Sequence, residues 1–172
     1  MNIRVKKLNE NAVLPTKSTI DAAGYDLTVT EITTEVGEDG VMMLVYHTGL
    51  SLEIPKYYAG FLFNRSSIAK KSLVLTNCVG VIDADYRGEI VAKFKVNTTS
   101  VPAIFKPGDK FAQIIILPLL DVNYEFISEN DDLTQTERGT GGYGSTDEKE
   151  MSTNNVEHTN EEEIGCTPEI NE

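Results

Sequence analysis

The chain has 172 residues, 40 % of them hydrophobic and 24 % charged, with a formal net charge of −12, which suits one domain with a real core. The charge is uneven: Asp147 to Glu172 holds nine acidic residues and one Lys, whereas residues 1–146 hold 18 acidic and 14 basic residues. No basic patch appears, which argues against nucleic-acid binding, and the longest apolar run, Ile114 to Leu120, is broken by Pro118 and far too short to span a membrane.

Short runs rich in Val, Ile, Leu, Phe and Tyr recur along the chain, separated by Gly, Pro, Asn and Asp, as in an all-β protein. Strands are predicted over Ile3–Leu8, Tyr25–Thr30, Met42–Ile54, Ala59–Phe63, Leu73–Thr76, Glu89–Val96, Phe111–Pro118 and Tyr124–Ile127. In Glu89–Val96 the alternation puts Ile90, Ala92, Phe94 and Val96 on one face. Only Ser66–Lys71 suits a short helical turn. Strands so closely spaced favour a β-sandwich, a jelly roll or a small barrel. Apolar residues thin out from Ser128, and from Asp147 the composition is that of a disordered segment. The expected organisation is a β-domain over residues 1–127, an arm over 128–146 and an acidic tail over 147–172.

Cys78 and Cys166 are too few for a disulfide framework and fit no zinc spacing. Cys78 lies in an apolar run and is expected to be a buried thiol; Cys166, in the tail, is expected to be exposed. Met1-Asn2-Ile3-Arg4-Val5 opens no long apolar segment, so no signal peptide is expected. A reducing, cytoplasmic compartment follows as the expectation.

The stretch richest in chemistry is Arg138-Gly139-Thr140-Gly141-Gly142-Tyr143-Gly144-Ser145-Thr146. Its four glycines allow a concave nest of backbone N–H groups that suits an anion. Arg138 adds a charged fork, Ser145 and Thr146 add hydroxyls, and Tyr143 offers a flat face to a ring. A Gly-rich linker before a solvated tail has the same composition. Gly139 and Gly144 have P-loop spacing, but Ser145 stands where the phosphate-binding Lys belongs, so this is not a Walker A loop.

A second dense stretch is Gly80-Val81-Ile82-Asp83-Ala84-Asp85-Tyr86-Arg87-Gly88. In an extended chain Asp83 and Asp85 share one side, whereas a turn separates them, and a plain hairpin turn has the same residues. Asn64-Arg65-Ser66-Ser67-Ile68-Ala69 reads as a capped helix start or as an anion site. Gly24-Tyr25-Asp26 and Pro107-Gly108-Asp109-Lys110 are ordinary turns in isolation.

Taken in order, these segments resemble the five motifs of the trimeric dUTP pyrophosphatases. The matches are Ala23-Gly24-Tyr25-Asp26-Leu27, Arg65-Ser66-Ser67-Ile68-Ala69, Asn77 through Gly88, Pro107-Gly108-Asp109-Lys110-Phe111-Ala112-Gln113, and the arm. The resemblance covers residues 3–146. It implies a jelly-roll-like β-barrel that forms a homotrimer and exchanges C-terminal arms. It implies hydrolysis of dUTP to dUMP and pyrophosphate, which keeps uracil out of DNA and supplies dUMP for thymidylate synthesis.

In that reading Arg65, Ser66, Ser67 and Gln113 meet the phosphates. A neighbouring subunit supplies a uracil pocket from Asn77 with Cys78 and Val79 through Gly80, Val81 and Ile82. Asp83 activates the attacking water, and Tyr86 packs under the deoxyribose and excludes a 2′-hydroxyl. A third subunit closes the site with Arg138, Tyr143, Gly144, Ser145 and Thr146. Mg²⁺ is held mainly by the triphosphate and water, with Asp26 acting through the metal's water shell.

Four positions depart from the family pattern: Tyr143 for Phe, Lys110 for Arg, Asn64 for Pro or Gly, and Asp147 for Gly. Two rivals share the fold. A dCTP deaminase needs a carboxylate where this chain has Lys93, and a regulatory module would use dUTP as a switch for a protein partner. The acidic tail is the one candidate for such a contact, and its composition better fits a solvated tail with no specific role. A bacterial or phage source fits the reading.

Overall fold

The computed structural model describes residues 1–98 and 100–143. Ten strands form in chain order: β1 Arg4–Lys7, β2 Tyr25–Thr28, β3 Glu31–Val36, β4 Met42–His47, β5 Leu50–Glu53, β6 Tyr58–Asn64, β7 Leu73–Leu75, β8 Gly80–Ile82, β9 Val91–Val96 and β10 Lys110–Pro118. A single 3₁₀ turn, Ser66–Lys70, follows β6. No α-helix occurs among the described residues.

The strands build two four-stranded antiparallel sheets, ordered β2-β10-β6-β8 and β3-β4-β9-β7, and a two-stranded ribbon β1-β5. The chain is therefore all-β, but its ladders do not close into a continuous barrel. One buried cluster joins the sheets: Leu27, Leu62, Ala112 and Ile114 come from the first, and Tyr46, Leu73, Leu75, Ala92 and Phe94 from the second. Tyr46 stacks on Phe111 at 5.5 Å between ring centroids and meets Phe94 edge-on at 5.3 Å, spacings at which aromatic pairs attract beyond their buried area. Of the face predicted by alternation, Ile90 just before β9 and Ala92 and Phe94 within it are buried, and Val96 is partly buried.

β10 is central, with β6 on one side from Ala112 to Pro118 and β2 on the other from Lys110 to Ile114. Beyond Ile114 its β2 side is open, which allows Pro118 to end a strand without losing a ladder bond. The predicted strand Met42–Ile54 is two strands. It breaks at Thr48-Gly49, where Gly49 has a φ of +66° and the buried Thr48 hydroxyl donates to the Ile90 carbonyl at 2.7 Å. β3 is absent from the sequence expectation because only Ile32 of its six residues is even partly buried. Its β-branched Ile32, Thr33, Thr34 and Val36 were the available signal. Tyr124–Ile127 forms no strand. It has strand composition but no ladder partner among the described residues, and Tyr124 and Phe126 are exposed.

Met1–Asn123 form one compact unit, and the described residues from Tyr124 to Tyr143 fall in a second. Every buried apolar side chain among the described residues belongs to the first. The expected tail, 147–172, lies outside the described residues.

Candidate functional site: a base-sized cleft and an anion cluster

β8 pairs with β6 through Gly60↔Ile82, Phe61↔Val81 and Leu62↔Gly80, and is the last strand of its sheet. Its outer backbone groups therefore have no ladder partner in the sheet, leaving donors and acceptors free to read a flat polar ligand. Beside it lies a cleft of about 160 Å³ whose lining includes Asn77, Gly80, Val81, Ile82, Asp83, Tyr86 and Glu89. A cavity of about 150 Å³ accepts a benzene ring, so one six-membered ring is the right size of occupant. Asn77 precedes the strand in a turn where Cys78 has a φ of +57° and donates its N–H to the Leu75 carbonyl at 3.2 Å.

The chain leaves β8 at Asp83 and turns, the Tyr86 N–H donating to the Asp83 carbonyl at 3.2 Å. That turn separates the two carboxylates. Asp83 lines the cleft with Tyr86, whereas Asp85 lines a groove with Arg4, Glu53 and Arg87. Asp83 is exposed and makes no side-chain hydrogen bond within the described residues, so its lone pairs remain available to accept a proton.

A second cluster forms at the end of the β2-β10-β6 sheet. β10 sets Gln113 opposite Asp26 of β2 and Phe63 of β6. Arg65 follows β6 and donates from Nε to Asp26 Oδ1 at 2.7 Å and from Nη1 to the Lys110 carbonyl at 3.2 Å. Lys110 Nζ and Ser18 Oγ both reach Asp26 Oδ2, at 2.9 and 2.5 Å. Gln113 Nε2 donates to the Asn64 carbonyl at 3.0 Å. Gln113 lies across Gly24, where a Cβ would come within 3.1 Å of the Gln113 Cβ; a larger residue there would displace the amide. Ser66 is exposed, while the Ser67 hydroxyl and Asn64 Oδ1 are buried without a partner among the described residues.

Asp26 is thus the hub of this cluster, with only 6 % of its surface exposed. Burial pushes its carboxyl up, but the hydrogen bonds from Ser18 and Lys110 and the charges of Arg65 and Lys110 outweigh that and hold it below its ordinary value. A carboxyl depressed in the folded state stabilises fully above its unfolded value of about 3.9, and that contribution disappears as pH falls through the lower folded value. Asp26→Asn is expected to cost about 1.5–3 kcal/mol at neutral pH and to flatten the loss of stability below about pH 4. Thermal unfolding of parent and variant across acid pH measures this, and equal acid slopes would remove Asp26 from the role.

Among the described residues no three His, Cys, Asp or Glu side chains gather as a metal site. Asp26 spends three of its roughly four acceptor positions on Arg65, Lys110 and Ser18. It is poorly suited to bind a cation directly and retains room for one water-mediated contact.

Within the second unit, Arg138 Nε donates to the Gly141 carbonyl at 2.9 Å and the Gly141 N–H returns to the Arg138 carbonyl at 3.1 Å. Gly139 and Tyr143 have positive φ, +54° and +47°, and Tyr143 is exposed. Gly144, Ser145, Thr146 and Asp147 lie outside the described residues.

The dUTPase family model matches residues 10–147, which span both clusters and the Gly-rich arm. The chain belongs to the dUTPase family. It is 43 % identical over 141 residues to the deoxyuridine 5′-triphosphate nucleotidohydrolase of Desulfitobacterium hafniense, covering 77 % of this chain and 86 % of that one. It is 37 % identical to the enzyme of the same description from Paramecium bursaria Chlorella virus 1, covering 84 % and 97 %. Among solved structures it resembles the Staphylococcus bacteriophage 80alpha dUTPase with dUPNHPP at a TM-score of 0.66 and 26 % identity, covering 84 % and 97 %. It also resembles a point mutant of the dUTPase from S. aureus phage phi11, described with a coordinated structural Mg(II) ion, at 0.61 and 26 %, covering 76 % and 99 %.

With the dUTPase motifs placed, one expectation is corrected and two residues are added. Cys78 is exposed, not buried, because the positive-φ turn carries it out of the apolar run. Lys93, where a deaminase has its carboxylate, is an ammonium paired with Glu35 Oε2 at 2.6 Å. Lys110 joins Arg65 on Asp26, and Glu89 lines the cleft; neither role was apparent from sequence, since their partners are distant in the chain. None of Arg65, Ser66, Gln113 and Asp26 lines the cleft.

Proposed function

We propose that the chain is a dUTP diphosphatase that takes dUTP to dUMP and pyrophosphate, with the uracil in the β8 cleft and the triphosphate on the Arg65–Gln113 cluster. The observation that carries the reading is the cleft: a ring-sized space lined by the sheet-edge backbone of β8 together with Asp83 and Tyr86. Backbone donors and acceptors can match the uracil edge. Cytosine reverses donor and acceptor at N3 and at position 4, and leaving buried groups unpaired gives discrimination of about 10⁴–10⁵.

Asp83 accepts a proton from a water that attacks the α-phosphorus in line. The new P–O bond replaces the bond to the β-phosphate bridge, and pyrophosphate leaves. Arg65 is held in place by Asp26 and adds positive charge beside the phosphates, with Gln113 as a neutral donor. A divalent cation, most simply Mg²⁺, neutralises phosphate charge when bound with the substrate; in this chain the residue nearest such a role is Asp26, through water. Ser66, Ser67 and the arm, from Arg138 through Tyr143 to Thr146, complete the phosphate and ring contacts.

Membership of the dUTPase family supports a homotrimer in which each site draws on neighbouring subunits and an exchanged arm. The organisation into a catalytic domain over 1–127, an arm over 128–146 and a tail over 147–172 belongs to the same proposal. The exposed Cys78 thiol supports a reducing, cytoplasmic setting.

Pyrophosphate release from dUTP, dCTP, dTTP and UTP, with and without Mg²⁺, tests the activity. A clear preference for dUTP is expected, and ammonia release from dCTP would overturn the reading. Tyr86→Ala is expected to raise activity on UTP relative to dUTP; an unchanged ratio of the two would take Tyr86 out of the sugar contact.

A further inference from the structure

We infer that Glu89 is a positioning residue for nucleotide selection, one that fixes the Tyr86 ring at the cleft by anchoring the Asp83–Glu89 loop to the corner between β4 and β5. The inference rests on the dUTP reading above. Glu89 is half-buried and uses both its side chain and its main chain. Its Oε1 accepts the Gly49 N–H at 2.7 Å, and its Oε2 lies 2.9 Å from His47 Nδ1. His47 is in turn oriented by Thr33 Oγ1, 3.0 Å from its Nε2. The Glu89 carbonyl accepts the Tyr86 hydroxyl at 3.1 Å.

The carboxylate thus ties the loop to one sheet while the carbonyl of the same residue holds the ring that faces the cleft. Gly88 supports the arrangement: a Cβ there would lie 2.5 Å from Tyr86 Cζ, so the ring rests directly against the backbone. Other ties in and around the loop come from Arg87, whose Nη1 donates to the Ala84 and Tyr86 carbonyls at 2.7 and 2.9 Å, and from a small hydroxyl and the main chain. Ser51 Oγ donates to the Arg87 carbonyl at 2.8 Å, and the Ile90 N–H donates to the Leu50 carbonyl at 2.8 Å. The Ile90 N–H shares a planar peptide unit with the Glu89 carbonyl and so holds it at one point; the Glu89 carboxylate adds the ties to Gly49 and His47. Without the carboxylate, the Gly49 N–H and His47 lose their partner, and the acceptor of the Tyr86 hydroxyl keeps the Ile90 tie but loses these two. The ring then has freedom to move from the sugar face, where a shift of about 1 Å is enough to alter rates substantially.

The test is the ratio of kcat/KM for dUTP to that for UTP, measured on the full chain for the parent, Glu89→Ala, Glu89→Gln, Tyr86→Phe and the Glu89→Ala/Tyr86→Phe double variant. Glu89→Ala is expected to lower the ratio about tenfold. Glu89→Gln keeps an acceptor for the Gly49 N–H and is expected to restore most of it. Tyr86→Phe is expected to move the ratio in the same direction, and the double variant no further than Glu89→Ala, because both changes break one linkage. A residue of purely structural importance would lower Tm and slow both substrates alike. A folded Glu89→Ala protein with the parental ratio overturns the inference. Should Glu89→Ala not fold, a parental ratio in Tyr86→Phe overturns it instead. A parent without dUTP hydrolysis sinks the activity and this inference together, whereas an active parent whose variants keep its ratio sinks the positioning role alone.

Discussion

Asp83→Asn is expected to leave a folded protein that still binds dUTP and turns it over about 10²–10⁴ times more slowly. The amide has the shape of the carboxylate and retains an acceptor oxygen, but it cannot take a proton from water. The structural cost is expected to be small: Asp83 is exposed and makes no side-chain hydrogen bond within the described residues, and such surface changes usually fall within about ±0.5 kcal/mol. Any large loss is therefore attributable to chemistry. Pyrophosphate release gives the rate, and titration calorimetry with a non-hydrolysable imido analogue of dUTP gives binding. Turnover near that of the parent would remove Asp83 as the base; lost binding would make it a binding group.

Ending the chain after Glu137 is expected to leave a folded protein with about 10³–10⁵ less activity, the range a charged finger contributes to phosphoryl chemistry. Folding is expected to survive because the buried apolar set among the described residues ends at Ile114, within the Met1–Asn123 unit. What goes is Arg138, the Gly-rich backbone and Tyr143. A second chain ending after Asp147 retains everything the family model matches and is expected to keep the parental rate. Comparing the two isolates the arm from the acidic tail. If the shorter chain were fully active, the arm would have no place in the site, and if the longer one were inactive, the tail would be required.

The segments proposed for the site stood out in the sequence because each is local. The turn residues around Asp83 and Gly88, the Arg65-Ser66-Ser67 run after an apolar strand, and the Gly-rich arm each carry their chemistry within a few residues. The strands were legible where one face is buried, as in β9 with Ala92 and Phe94. β3, almost wholly exposed, showed no such contrast. Cys78 was misjudged for a related reason: its neighbours Leu75 and Ile82 are buried, but one residue with positive φ turns the intervening chain outward.

By itself the sequence determined the all-β class, the order of the motifs and the family, since alternation and turn chemistry act over a few residues and survive without knowledge of the fold. The tertiary structure decided who meets whom. Asp26 finds Arg65 at a separation of 39 residues and Lys110 at 84, and Glu89 finds His47 at 42. It also decided that Asp83 and Asp85 part at a turn, one to the cleft and one to the groove with Arg87. The reason is that antiparallel pairing joins strands remote in the chain, and the register of β10 between β2 and β6 depends on the packing of the whole core. No local pattern of residues records it.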